Sequence, residues 1–445
     1  MRKGLLFGFI GIGSLLLVAA GSDRADAIPA FARKYKTACI TCHATFPRLT
    51  ALGEAIRLNG YKMPGGDELY VKDPPVSMGA EAYKQVFPNA VWPSDIPGLP
   101  PISLRLVTDY DFDVGGTKDS RTDFRIDEAA LLAAGSFGEN MSFFVEIGHE
   151  EPELELEVEK DPVTGFVTDV SVGEHESGTE FSAWLMWEDL FKTTVGENHL
   201  NLRFGTIGMQ DRALPNTRGH NRITVEDYLY TTELMLHGHG NSSVGVEANG
   251  FGKHWRYNAG VQNGDGATSK KNYYAVASLK FGGLGYDGSG GTSVEGGLST
   301  TPSGYWRDDA ILIGGFYYKS YAGPTDLSFD RIGADARLNY KDLSLALGFV
   351  TGDNDATNEK KDIWFAEAEY FVLPWLQPYL RYENLSSDVA DGDKGRLVVG
   401  AACLARANVK FNVEGRFYTK NDPIKAVTGD KNDEDRVVVR LDFAF

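Results

Sequence analysis

From about Ile102 to the last residue, apolar and polar positions alternate with period two. That is the pattern of strands whose two faces meet different surroundings. In the final segment Val437, Val439, Leu441, Phe443 and Phe445 share one face, and Arg436, Arg440 and Asp442 share the other. Val409, Phe411, Val413 and Phe417 oppose Lys410, Asn412, Glu414 and Arg416. Trp364, Ala366, Ala368 and Tyr370 oppose Glu367 and Glu369, and Ile332, Ala334, Ala336 and Leu338 oppose Arg331, Asp335 and Arg337. Near the start of the region, Leu104, Leu106, Tyr110 and Phe112 oppose Arg105, Asp109 and Asp111. Segments of about ten residues cross a bilayer at a tilt, and aromatics near their ends suit its interfaces. A soluble β-sandwich also alternates, but full charges on the polar face of strand after strand are what a water-filled lumen allows.

The chain ends on an aromatic, Phe445, closing an amphipathic strand. Such an ending resembles the assembly signal of bacterial outer-membrane barrels. Backwards from it, the predicted loops alternate: 420–435 long, 406–408 short, 386–395 long, 373–374 short, 353–361 long and 341–342 short. Long loops belong outside and short turns on the periplasmic side. The alternation fails between about 250 and 310, and residues 209–227 form a long insertion that is a candidate inward constriction. The expected fold is all-β: a transmembrane antiparallel β-barrel over 102–445, of about 16 strands with 18 possible.

The region before the barrel has a different character. Arg2-Lys3, an apolar run from Gly4 to Ala20 and the small residues Ala25-Asp26-Ala27 form a secretory signal over 1–27, cleaved before Ile28. Eight of the 18 prolines fall between Pro64 and Pro101, so 64–101 is expected to be an extended linker. Between them, 28–63 contains one predicted helix, Leu49–Asn59, with Leu49, Leu52, Ala55, Ile56 and Leu58 apolar. Chains below roughly 40 residues rarely fold unaided, so the barrel must shelter this segment as a plug.

Composition agrees and narrows the partners. The chain has 445 residues, 51 of them Gly, with 12% aromatic and 42% hydrophobic content and a mean hydropathy of -0.26. No run beyond the extreme N-terminus reaches the ~18–20 apolar residues of a spanning helix, and the aromatic content is too high for a disordered chain. With 62 acidic and 44 basic residues the net charge is -18, which argues against nucleic acid as a partner. Loss of Arg2, Lys3 and Arg24 against Asp23 and Asp26 leaves the mature chain at -19. Such a surface favours cations at a pore mouth.

The sharpest chemical signal is Cys39-Ile40-Thr41-Cys42-His43. In C-x-x-C-H two thiols attach haem through thioethers, and the adjacent His is the proximal iron ligand. A redox dithiol needs a βαβ context and a zinc site needs a second ligand pair; neither accompanies the motif. One covalent haem c is therefore expected on Cys39 and Cys42, with His43 as proximal metal ligand. Met63 is the candidate distal ligand and Met78 the next, with an open or water-ligated site as the alternative. His149, His175, His199, His220, His237, His239 and His254 are expected in surface or loop roles. Cys403 is expected to be a small apolar wall residue.

Other polar groups are weaker candidates. The acidic run 146–161 has Glu146, His149, Glu150, Glu151, Glu153, Glu155, Glu157, Glu159 and Asp161; such oxygens suit Fe(II), though a solvated strand extension is the plainer reading. Asp353 with Asp355 and Asp391 with Asp393 are turn residues or calcium sites. Lumen arginines Arg105, Arg125 and Arg203 either meet haem propionates or pair with lumen acids.

The stretch Ala27-Ile28-Pro29-Ala30-Phe31-Ala32-Arg33, followed by Cys39-x-x-Cys42-His43-x-x-x-Pro47-x-Leu49, resembles the fused monohaem cytochrome–porin family of iron-oxidising bacteria. The likeness is dense over residues 27–61 and architectural over the barrel. Lys34-Tyr35-Lys36 departs from the family's usual Gln-Thr-Gly. The resemblance implies an outer-membrane conduit that takes electrons from extracellular Fe(II), through the haem, to periplasmic c-type cytochromes or other carriers. The alternatives are a porin with a haem gate or sensor, and a conduit passing electrons outward.

Overall fold

The computed structural model describes residues 30–67, 70–71, 76–91, 101–113, 122–138, 140–150, 154–160, 167–174, 178–209, 212–217, 221–235, 242–264, 268–290, 304–322, 327–354, 359–388, 393–420 and 435–444. The expected signal peptide lies outside them. The core of the molecule is a closed barrel of 16 strands. In chain order they are β1 (Ile102–Asp113), β2 (Thr122–Phe137), β3 (Met141–Glu150), β4 (Gly178–Trp187), β5 (Asn201–Gly208), β6 (Ser242–Phe251), β7 (Trp255–Asn263) and β8 (Lys271–Gly282). There follow β9 (Ala310–Ala322), β10 (Leu327–Tyr340), β11 (Leu343–Asn354), β12 (Glu359–Tyr370), β13 (Leu376–Ser387), β14 (Lys394–Arg406), β15 (Val409–Lys420) and β16 (Arg436–Ala444). Each strand pairs antiparallel with the next, and β16 closes on β1 with Arg440 opposite Asp109. A separate two-stranded sheet, Leu154–Lys160 with Val167–Glu174, extends the connection between β3 and β4.

The period-two pattern explains the barrel's two faces. Along β16, Val438, Arg440, Asp442 and Ala444 are buried while Val437, Val439 and Leu441 are more accessible. Outward side chains such as Ile332, Leu347, Phe349, Trp364, Leu380 and Val413 are exposed. An apolar outer belt around a charged lumen, with every ladder closed, is what a lipid-embedded barrel requires. The chain is therefore an outer-membrane-type β-barrel. Cys403 sits half-buried on β14 opposite Leu376 and Phe411.

The connection that breaks the loop alternation is 283–309, between β8 and β9. It is long, yet it leaves the barrel at the same end as the tight turn at 341–342. It is long because it braces the N-terminal segment. Leu284 packs with Tyr35, Leu52, Ile56 and Met63. The Tyr305 hydroxyl donates to the Ala44 carbonyl at 3.0 Å.

The insertion after β5 runs further than the expected 209–227. Its described parts, 212–217 and 221–235, fold into the lumen. Ala213, Leu214, Tyr228, Leu229, Tyr230 and Leu234 join Tyr274, Phe316, Tyr318, Val350 and Phe365 from the wall in one apolar cluster. Polar anchors fix its rim. Asn216 and Thr217 donate to Asp335 at 2.8–3.0 Å, and the Val225 and Glu226 amides donate to Glu414 at 2.7 and 2.8 Å.

The proline-rich stretch is not wholly extended. Ala80–Val86 forms a short exposed helix, within the proline-free run between Pro75 and Pro88, where backbone donors are intact.

Candidate functional site

The N-terminal segment enters the lumen from the short-turn end. It is built from helix α1 (Ala30–Tyr35), a 3₁₀ turn at Cys39–Thr41, a minimal hairpin of His43–Thr45 with Arg48–Leu49, and helix α2 (Ala51–Leu58). Helix α2 lies inside the predicted Leu49–Asn59, because the Thr50 side chain caps it by accepting from the Gly53 amide at 3.1 Å. Its apolar face buries Leu52, Ala55 and Ile56.

Side chains from distant strands hold the plug. Arg48 pairs with Glu369 and donates to Ser344 at 3.2 Å. Thr45 donates to Gln377 at 2.6 Å. Lys62 pairs with Glu188, and Arg256 pairs with Glu54. The Ala30 amide donates to Ser103 at 2.9 Å.

Cys39, Cys42 and His43 all face one cavity of roughly 430 Å³ between plug and barrel wall, within the usual size of a ligand site. Its apolar lining includes Phe31, Phe46, Ile56, Tyr61, Phe144 and Trp184. Tyr61 stacks on Phe31 at 5.3 Å and on Trp184 at 5.8 Å. Its charged lining is Arg57, Arg105, Arg203, Arg212 and Arg256 against a single carboxylate, Glu146.

The local geometry prepares the three motif residues. Gly53 packs so closely on the motif that a β-carbon there would sit 2.0 Å from the Cys42 carbonyl oxygen. His43 shares a 3.0 Å hydrogen bond between Nδ1 and the Pro47 carbonyl. With Nδ1 as donor, the Nε2 lone pair is left for a metal. Burial pushes the His43 imidazole down to about 4, so it is neutral and able to ligate at physiological pH. Burial pushes the Cys39 thiol up to about 11 and the Cys42 thiol to about 12. Neutral, sheltered thiols do not suit a reactive redox dithiol. Among the described residues, no His, Cys, Asp and Glu side chains gather to complete a metal-holding group. A planar apolar group carrying two carboxylates, joined through the thiols, suits this combination of donors, aromatic wall and arginines.

Other candidates fall elsewhere. Met63, 2% exposed, is packed with Tyr35, Leu52 and Ile56, with Cys42 touching the same cluster; it is absent from the cavity lining. Its amide donates to Asp67 at 2.9 Å. Met78 is 50% exposed. Arg105 lines the cavity but spends its nitrogens on Asp442 and Glu128. Arg125 lies outside it, against Asp109, Asp111 and Asp127. Of the acidic run, Glu146 enters the lining and His149 is exposed; the side chains from Glu150 to Asp161 lie outside the described residues. His199 and His254 bond backbone carbonyls, and the positions of His175, His220, His237 and His239 are outside the described residues. Asp393 accepts from the Ser387 amide at 3.0 Å, as a turn residue does; Asp355 and Asp391 are outside them. Arg57, Arg212 and Arg256 escaped sequence reasoning, since only barrel closure and the inserted plug bring them together.

No family model and no curated protein matches the chain. Solved structures similar to it include an anion-selective porin from Comamonas acidovorans (10% identity, 77% of this chain and 98% of that one, TM-score 0.49). Another is OmpF of Salmonella typhi in complex with daunomycin (12% identity, 77% and 97%, TM-score 0.48).

Proposed function

We propose that the chain is an outer-membrane electron conduit, taking electrons from extracellular Fe(II) through one covalent haem c to periplasmic electron carriers. The observation that carries this reading is that Cys39, Cys42 and His43 open onto one cavity inside a barrel whose own N-terminal segment plugs it. A bound haem would supply a one-electron couple: each Fe(II) gives up one electron to become Fe(III), and one carrier accepts one. The chain's residues do the rest. Cys39 and Cys42 would hold the group, the Pro47 carbonyl orients His43, and Phe31, Tyr61, Phe144 and Trp184 would shield it from water. The resemblance over residues 27–61 points to Fe(II) as donor, and the net charge of -18 would concentrate cations at the outer mouth. The inward-folded insertion packs an apolar cluster into a second level of the lumen, which favours electron passage over solute passage.

The test is to mix the purified, oxidised protein with Fe(II) and follow the visible spectrum. Reduced-haem bands should rise within seconds to minutes. No reduction over a range of pH would remove iron as the donor, and absence of covalent haem would remove the conduit itself.

A further inference from the structure

We infer that Arg203 and Arg256 are positioning residues that receive the two carboxylates of the haem; the inference rests on the haem reading above. Both residues line the cavity and are 7% and 6% exposed, with their guanidiniums over the rings of Trp184 and Tyr286 at 4.4 and 5.0 Å. Arg203 sits on β5, its Nη1 donating to Glu247 at 2.7 Å and its Nη2 3.8 Å from the Met186 sulfur. Arg256 sits on β7, its terminal nitrogens donating to Glu54 and to the Pro215 carbonyl. In each, the buried Nε–H has no acceptor. Buried donors are nearly always paired, so two unpaired ones on one cavity mark acceptors that belong there. Elsewhere in the lumen, Nε of Arg125 and Arg381 lies 3.4 and 3.2 Å from a carboxylate oxygen of Asp111 and Glu383, and Arg337, whose Nε also has no hydrogen-bond acceptor, turns its terminal nitrogens to Glu367 and Glu369 at 3.8 and 3.6 Å.

Charge points the same way. Glu54 serves both Arg57 and Arg256, and Glu247 serves both Arg203 and Arg212. Four guanidiniums thus rest on two carboxylates. Glu146 is the one acidic side chain in the lining, and the buried Asp335 also interacts with Arg256. A lining in which guanidiniums outnumber carboxylates favours an anionic ligand, and guanidinium forks match carboxylates in geometry. The cavity's aromatic wall adds that the ligand's body is flat and apolar.

The experiment compares the full-length, haem-loaded protein with its Arg203→Gln, Arg256→Gln and Arg125→Gln variants. The readout is the midpoint potential by spectroelectrochemistry from pH 5 to pH 8, with covalent haem content measured alongside. A guanidinium keeps its carboxylate partner ionised, so the wild-type potential should be nearly flat with pH. Each cavity variant should favour the ferric form by about tenfold, a fall of roughly 59 mV for one electron. Its potential should also acquire a pH slope as the released carboxylate titrates. Arg125→Gln, outside the cavity, should stay close to wild type. Wild-type profiles in both cavity variants overturn the inference, as does an equal shift in Arg125→Gln, which would mean a general lumen field. Should a Gln variant fail to accumulate, Arg203→Lys decides: it retains charge but not the fork, and should shift less in the same direction, whereas no shift overturns the inference. Wild-type protein without covalent haem overturns the parent reading instead, so the two failures are distinguishable.

Discussion

A β-carbon at Gly53 would meet backbone, not a flexible side chain, because the nearest atom is the Cys42 carbonyl oxygen. Helix α2 and the Cys39–His43 turn must then move apart. Gly53→Ala should therefore lower the covalent haem carried per barrel severalfold, while leaving the amount of membrane-inserted barrel unchanged. Haem staining against protein content on the same gel measures this, and equal loading would show that the close packing does not matter. At this scale the sequence was informative wherever chemistry is local. Five consecutive residues spell C-x-x-C-H, and the apolar spacing of Leu52, Ala55 and Ile56 marks the helix beside it. It was silent on Arg57, Arg212 and Arg256, whose convergence depends on partners such as Glu54, 202 residues before Arg256. It was also silent on the packing of Met63 against Leu284, since nothing in Tyr61-Lys62-Met63-Pro64 records that the connection between β8 and β9 lies against it.

Among the elements, the inward-folded insertion depends on Glu226. Its carboxylate receives Arg396 at 2.7 Å and Arg416 at 2.6 Å. Burial alone would raise the Glu226 carboxyl, but these guanidiniums hold it well below the usual carboxylate range. The folded-state value is the lower one, so the anchoring is fully present above the ordinary glutamate value of about 4.3 and is lost as pH falls below it. Removing one partner of a buried ion pair costs about 3–5 kcal/mol. Glu226→Gln should thus speed amide exchange in 221–235 by about a hundredfold or more at neutral pH, with the gap to wild type closing under acid. Mass-spectrometric exchange, corrected for intrinsic rates, reads this directly; unchanged protection would mean that the apolar cluster holds the loop alone. The strands around it were readable because each alternates charge with lipid-facing apolar residues. The insertion's continuation past 227 was not, because Tyr228–Leu234 carries the apolar residues of a buried segment without period two.

Across the whole molecule, two inserted segments share one lumen, each held by a different part of the wall. The plug engages Glu188, Arg256, Ser344, Glu369 and Gln377, near the short-turn end. The insertion engages Asp335, Glu367, Glu383 and Glu414 and fills the span with an apolar cluster. A porin needs an aqueous path, and here ion pairs and hydrogen bonds tie wall side chains to both inserted segments. Liposomes carrying the wild-type protein should therefore swell slowly in small sugars. Deleting 30–67 alone should raise the rate only partly, because the insertion remains anchored. Adding Glu226→Gln to that deletion should raise it further, because the insertion then loosens. The order matters: if the plug deletion alone gave the full rate of an open porin, the insertion would not be a second barrier. If wild type swelled freely, a lumen closed at two levels would be wrong, and solute transport would regain its place beside electron transfer.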